Sequence, residues 1–108
     1  MPEERAAGAA GASRRRAEAP FTVVGEIDIA SAPRMAADLS TYCESTSGKV
    51  VVDCARMTFI DSSGLAVFET ARRDLTAQGR EIELTNVVDH CRRAFQIIGL
   101  ADLLVDHE

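Results

Sequence analysis

Lys49-Val50-Val51-Val52-Asp53-Cys54, with Thr58-Phe59-Ile60-Asp61-Ser62-Ser63-Gly64-Leu65 shortly after it, is the stretch that decides the fold. A short β-branched run that is apolar on both faces is the pattern of a central strand covered on both sides. Beyond Cys54 the chain reads as a loop and then a helix from about Ser63 to about Gln78. Leu65, Phe68, Ala71 and Leu75 share one face of that helix, and Gly79 stands at its C-terminal stop. A buried strand feeding directly into a helix is half of a crossover unit, and the flanking sequence supplies the rest.

Upstream, Phe21, Val23, Gly25 and Ile27 alternate with Thr22, Val24, Glu26 and Asp28, as in a half-buried strand. Ser31 then stands where a helix cap is needed, with Pro33 in the first turn. Met35, Leu39, Tyr42 and Cys43 recur at helical spacing before Gly48. Downstream, Glu81 to Thr85 alternates as a strand with one wet face. Asp89 is placed to cap a third helix with Cys91, Phe95 and Ile98 inward and Gly99 as its stop, and Leu103 to Val105 reads as a last short strand. The order β-α-β-α-β-α-β, with helices long enough for crossovers, predicts one α/β domain built on a mostly parallel sheet of about four strands.

Composition narrows the class. The chain has 108 residues, 46% of them hydrophobic and 5% aromatic, with no Trp, so a single aliphatic core is expected over residues 21–108. Residues 1–20 are rich in Ala and Arg, carry no large aliphatic residue after Met1 and show no amphipathic period. They read as a disordered or weakly ordered arm. The arm balances to +1 and the body to −6 within a net charge of −5, and Lys49 is the only lysine. An acidic body of this kind is unsuited to binding a phosphate backbone, and the triplet Arg14-Arg15-Arg16 reads as part of a solvated tail. No apolar stretch approaches a membrane span, and the start lacks the apolar core of a secretory signal. Cys43, Cys54 and Cys91 are odd in number with no CxxC pair. They read as small core residues in a reducing cytoplasm, not as disulfide partners or metal ligands.

In an α/β sheet, function gathers where the loops leave the carboxyl ends of the strands. Two such loops stand out: the exit of the first strand at Asp28, and Asp61-Ser62-Ser63 before the second helix. Asp and Ser are favoured at helix starts because they accept from otherwise unpaired N–H groups. One residue suffices for that task, so a second serine beside it is left exposed at the positive end of a helix, where a phosphate is well placed.

At this point the chain resembles a STAS domain, and more narrowly the bacterial anti-sigma factor antagonists. The likeness rests on Gly25-Glu26-Ile27-Asp28, Val51-Val52-Asp53 and Phe59-Ile60-Asp61-Ser62-Ser63-Gly64-Leu65, with Phe95 and Ile98-Gly99-Leu100 fitting the family's third helix and its end. It spans roughly residues 21–106. The resemblance implies partner switching. Ser62 is then the serine phosphorylated by an anti-sigma factor that is also a serine kinase, and a metal-dependent serine phosphatase restores it. The unphosphorylated form binds the kinase and frees a sigma factor. Asp28, Asp61, Ser62, Ser63 and Gly64 are the implied partner-binding residues, and the nucleotide belongs to the kinase, so no cofactor is expected. Two departures accompany the likeness. The strand that usually precedes Phe21 is replaced by Ala- and Arg-rich sequence, and the usual further helix is missing after Val105, which leaves surface for a partner or a second copy of the chain.

Competing readings fare less well. Ser62 as a nucleophile needs a base, and the histidines are His90 and His107; there is neither a G-x-S-x-G elbow nor a glycine-rich phosphate loop. A phospho-aspartate receiver wants paired acids after its first strand and a late lysine, whereas Asp28 lies between Ile27 and Ile29. The remaining alternative is a STAS subunit of a transporter or of a larger signalling assembly with no sigma-factor role.

Overall fold

The computed structural model describes residues 19–105. The arm predicted over residues 1–20 therefore lies almost wholly outside the described residues, as do His107 and the triplet Arg14-Arg15-Arg16. The described chain runs β1 (Phe21–Ile27), α1 (Ala32–Glu44), β2 (Val50–Ile60), α2 (Ser62–Ala77), β3 (Ile82–Thr85), α3 (Asp89–Ile97), a short 3-10 turn (Ala101–Leu103) and β4 (Leu104–Val105). Among the described residues all strand pairs are parallel, in the order β1-β2-β3-β4. Over the described residues, the predicted α/β order and strand count are those of the structure.

A sheet that steps in one direction through right-handed crossovers carries its helices on one face. Burial obeys that rule. Val50, Val52 and Cys54 are fully buried, while Val51 and Asp53, pointing the other way, are only half-buried. The expectation of a central strand covered on both sides is thus corrected for the described residues: among them, one face carries the core. That core joins Val23 and Ile27 of β1, Met35 and Leu39 of α1, Leu65, Phe68 and Leu75 of α2, Leu84 of β3 and Phe95 of α3 in one cluster. Phe68 and Phe95 meet at a ring-centroid distance of 5.7 Å and tie α2 to α3.

β2 is longer than its sequence suggests. Its pairing with β1 slips twice, once between Thr22 and Val24 and once between Gly25 and Glu26, each time spending an extra residue on β2. These bulges turn the inward period from two residues to three, so Cys54, Met57 and Ile60 all face the core. Thr58-Phe59-Ile60, expected in the loop, is the end of the strand, and α2 starts one residue earlier than expected.

Helix ends show the local chemistry, with some reassignment. At both Gly79 (φ +74°) and Gly99 (φ +83°) the chain turns left-handed. The amides of Arg80 and Leu100 then reach back to the carbonyls of Leu75 and Phe95, closing a Schellman stop on each helix. The cap of α3 is Val88, with Asp89 as its first helical residue. Ile98 comes after the last helical residue, leaves the helical course and stands 43% exposed, and Leu100 takes the buried place expected of it.

Candidate functional site

β1 and β2 end side by side, with Ile27 paired to Ile60 and the Asp61 amide donating to the Ile27 carbonyl at 3.1 Å. One residue beyond each paired end stands an aspartate: Asp28 opens the β1–α1 turn and Asp61 opens α2. The two loops singled out in the sequence are therefore neighbours on one sheet edge.

Asp61 is the cap of α2. In extended backbone, its carboxylate accepts from the amides of Ser63 at 2.9 Å and Gly64 at 3.4 Å, and its carbonyl accepts the first helical bond from Leu65 at 3.0 Å. The capping task is thereby complete without either serine. Ser62, the first helical residue, is exposed and its hydroxyl makes no hydrogen bond to any described residue, whereas Ser63 is half-buried. Gly64 is buried, and its role is spatial. A Cβ there would lie 2.7 Å from Ile27 Cγ2 and 2.7 Å from Ile60 Cγ1. The start of α2 can approach the paired strand ends this closely only because that atom is missing.

The β1–α1 turn is closed by its own polar groups. Asp28 Oδ1 accepts from the amides of Ala30 at 3.0 Å and Ser31 at 3.1 Å. The Ser31 hydroxyl accepts from the Asp28 amide at 3.0 Å and donates to the Glu26 carbonyl at 2.8 Å. Ser31 stands at the cap position of α1 but its side chain caps nothing; the Asp28 carbonyl takes the amides of Ser31 and Ala32 instead. The expected Ser31 cap is corrected accordingly. Its hydroxyl is committed to the strand side of the turn.

Three further groups at this edge were missed in the sequence. Ile29, next to Asp28, is 79% exposed, and Phe59, next to Ile60, is 45% exposed. An apolar residue between Asp28 and Ala30 was the available signal for the first; the early end assigned to β2 hid the second. Asn86 holds a left-handed backbone (φ 61°) and donates its amide to Asp53 Oδ1 at 3.1 Å, while the Ala55 amide donates to the same atom at 3.0 Å. These donors, the Ala55 amide first, hold the Asp53 carboxyl below the usual range. His90, expected as a solvated first-turn residue, is exposed and donates Nε2–H to the Thr58 carbonyl at 2.7 Å, which fastens the start of α3 to the end of β2.

Chemically, the edge offers a free hydroxyl at a helix N-terminus, flanked by carboxylates. Among the described residues no group of three His, Cys, Asp or Glu side chains is arranged to hold a metal ion, and no helix is long and apolar enough to cross a membrane. Burial pushes the thiols of Cys54 and Cys91 up, that of Cys54 to about 12, and both lie in the core as expected; Cys43 is half-buried beside Leu39 in a groove between α1 and α2.

Comparison with known proteins agrees with this geometry. Residues 14–107 match the family model described as STAS domain, a match that takes in the last part of the Ala- and Arg-rich stretch. An anti-sigma-B factor antagonist of Listeria monocytogenes is 33% identical over 82 residues, covering 76% of this chain and 72% of that one. One of Staphylococcus aureus is 28% identical over 82 residues, covering 76% of each. Among solved structures, the anti-sigma factor antagonist SpoIIAA in its unphosphorylated form superposes with a TM-score of 0.71 at 23% identity, over 89% of this chain and 87% of that one. The Bacillus cell fate determinant SpoIIAA in its phosphorylated form gives 0.63 at 26% identity, over 81% and 79%.

Proposed function

Because the chain belongs to the STAS domain family, whose anti-sigma antagonist members bind and regulate and do not catalyse, we propose that it is itself an anti-sigma factor antagonist switched by phosphorylation of Ser62. In the unphosphorylated state it binds an anti-sigma factor that is also a serine kinase, and a sigma factor is released. Phosphate on Ser62 ends that binding, and a serine phosphatase restores it; all of this takes place in the cytoplasm. The observation that carries the reading is the exposed, unbonded hydroxyl of Ser62 at the start of α2, relieved of capping by Asp61. Asp61 and Ser63 adjoin it in the chain, and Asp28 follows the paired end of the neighbouring strand. These residues form the docking face, and Gly64 sets the height of the helix against the strands.

The electrostatics support a switch. A phosphate adds about −1.5 to −2 charges. The N-terminus of α2 favours that charge in the free domain, so the fold tolerates it. A partner covering the same edge has to desolvate the phosphate next to Asp61 and Asp28. Like charges juxtaposed across an interface cost several kcal/mol, and ~1.4 kcal/mol is tenfold in affinity. The expected loss is about two decades or more.

The test is incubation of the full chain with each candidate anti-sigma kinase and ATP, read by intact mass and site mapping. One phosphate, on Ser62 and absent from Ser62→Ala, is the expected result. Absence of phosphate with every candidate, together with stable binding to a transporter or another signalling complex, moves the chain to a STAS role outside sigma-factor control.

A further inference from the structure

Single exposed apolar residues are ordinary on protein surfaces and signify little by themselves. Ile29 differs in how it is held. On either side of it the turn is pinned: the Ala30 and Ser31 amides rest on Asp28 Oδ1, the Asp28 amide rests on Ser31 Oγ, and that hydroxyl reaches the Glu26 carbonyl. A residue 79% exposed is thus presented from a turn whose backbone has little freedom left to lose on binding. Pre-ordered presentation of this kind lowers the entropic cost of docking.

Position adds to this. Ile29 comes directly after Asp28 on the sheet edge where Ser62 stands, because Ile27 and Ile60 are paired and Asp61 bonds back to Ile27. Phe59, itself 45% exposed, is paired with Glu26 next to that edge. Acidic side chains predominate there, with Arg34, which is paired with Asp38, and Arg56 lying just beyond it along the chain. Glu26, Asp28 and Asp61 are acidic, and residues 26–31 and 58–65 contain neither Lys nor Arg. We propose that Ile29 is the apolar anchor with which this domain seats in its anti-sigma partner, in a socket whose floor is apolar and whose rim carries basic side chains. The inference rests on the functional reading given above. It divides labour at the edge: Ile29 supplies affinity and Ser62 supplies the switch.

The division is testable on the full chain. Wild type, Ile29→Ala and Ile97→Ala, the last altering a 77% exposed isoleucine at the far end of α3, are titrated against the anti-sigma kinase and assayed as its substrates. Ile29→Ala is expected to bind about tenfold more weakly or worse. It raises KM for Ser62 phosphorylation by a similar factor with kcat within about twofold, since the hydroxyl itself is undisturbed. Ile97→Ala stays within about twofold of wild type, and all three unfold at the same urea midpoint. Binding by Ile29→Ala within about twofold of wild type overturns the anchor while leaving the functional reading standing. A wild-type protein that neither binds nor is phosphorylated by any anti-sigma kinase overturns both.

Discussion

Replacing Gly64 with alanine adds one methyl group at the most crowded point of the site. That carbon would sit 2.7 Å from Ile27 Cγ2, 2.7 Å from Ile60 Cγ1 and 3.0 Å from Ile60 Cδ1. The first two separations are about 0.8 Å short of the ~3.5 Å at which carbon atoms pack comfortably. Neither isoleucine can simply swing away: they are 4% and 6% exposed, they end paired strands, and both belong to the core. Overpacking of this kind costs about 1–3 kcal/mol. Alanine's better helix preference returns at most about 1 kcal/mol, and less in a first turn. The net loss is then centred on about 1–2 kcal/mol. With no Trp and one Tyr in the chain, urea unfolding monitored by far-ultraviolet circular dichroism is the suitable assay. At a slope of about 1 kcal/mol/M, the midpoint falls by about 1 M or more. The strain is relieved by lifting the start of α2, which carries Ser62 away from Asp28, so phosphorylation slows under conditions where both proteins are fully folded. A midpoint equal to or above that of wild type, with unchanged phosphorylation, refutes the close-approach argument.

Other perturbations separate the remaining contacts. Asp61→Ala leaves the amides of Ser63 and Gly64 without their acceptor and should cost about 1 kcal/mol in the same urea assay; Asp61→Asn, which can still cap, should cost less. Asp53 has its folded-state pKa depressed by the Ala55 amide and then by Asn86, so its contribution is present above the unfolded value of about 3.9 and is lost as pH falls through the folded value. Asn86→Gly keeps the left-handed backbone but removes the side-chain donor. The stability gap between it and wild type is expected to be widest above about pH 5 and to narrow as pH falls below the unfolded value of about 3.9; a gap constant with pH would show that the Asp53 contact contributes nothing. Thiol alkylation of the native protein, read by intact mass, should label half-buried Cys43 first. Cys54, pushed up to about 12 by burial with Asp53 and Cys91 adding to it, and buried Cys91 should be labelled only as the domain unfolds. Early labelling of either buried thiol contradicts the packing described.

Much of this molecule was legible in its sequence because local patterns agree with the tertiary arrangement. The alternation at Phe21–Ile27, the valine run at Val50-Val51-Val52 and the glycine stops at Gly79 and Gly99 mark out the element order, and that order brings Asp28 and Ser62 to one edge. The misreadings have tertiary causes. β2 reads as ending at Cys54 because its bulges put Ala55 and Arg56 together on the exposed side and interrupt the alternation that marks a strand. Val51 was expected to be covered because a valine run records a strand's propensity, whereas the consecutive strand order decides which face receives helices. Ser31 and Asp28 are both able to cap, and only the folded turn shows the carboxylate and carbonyl of Asp28 engaged and the Ser31 hydroxyl turned back to Glu26. Gly64 is a letter of the Asp61–Leu65 motif in the sequence; that it clears space for Ile27 and Ile60 depends on a contact between three elements.

The measurement that bears most directly on the switch is calorimetric titration of the anti-sigma kinase, with ADP present, by the unmodified chain and by the chain carrying phosphate on Ser62 alone. Burying the phosphate beside Asp61 and Asp28 predicts that the modified form binds about a hundredfold more weakly or worse, while its urea midpoint stays close to that of the unmodified domain. Equal affinities of the two forms would contradict the account, because Ser62 would then lie outside any interface that its charge controls.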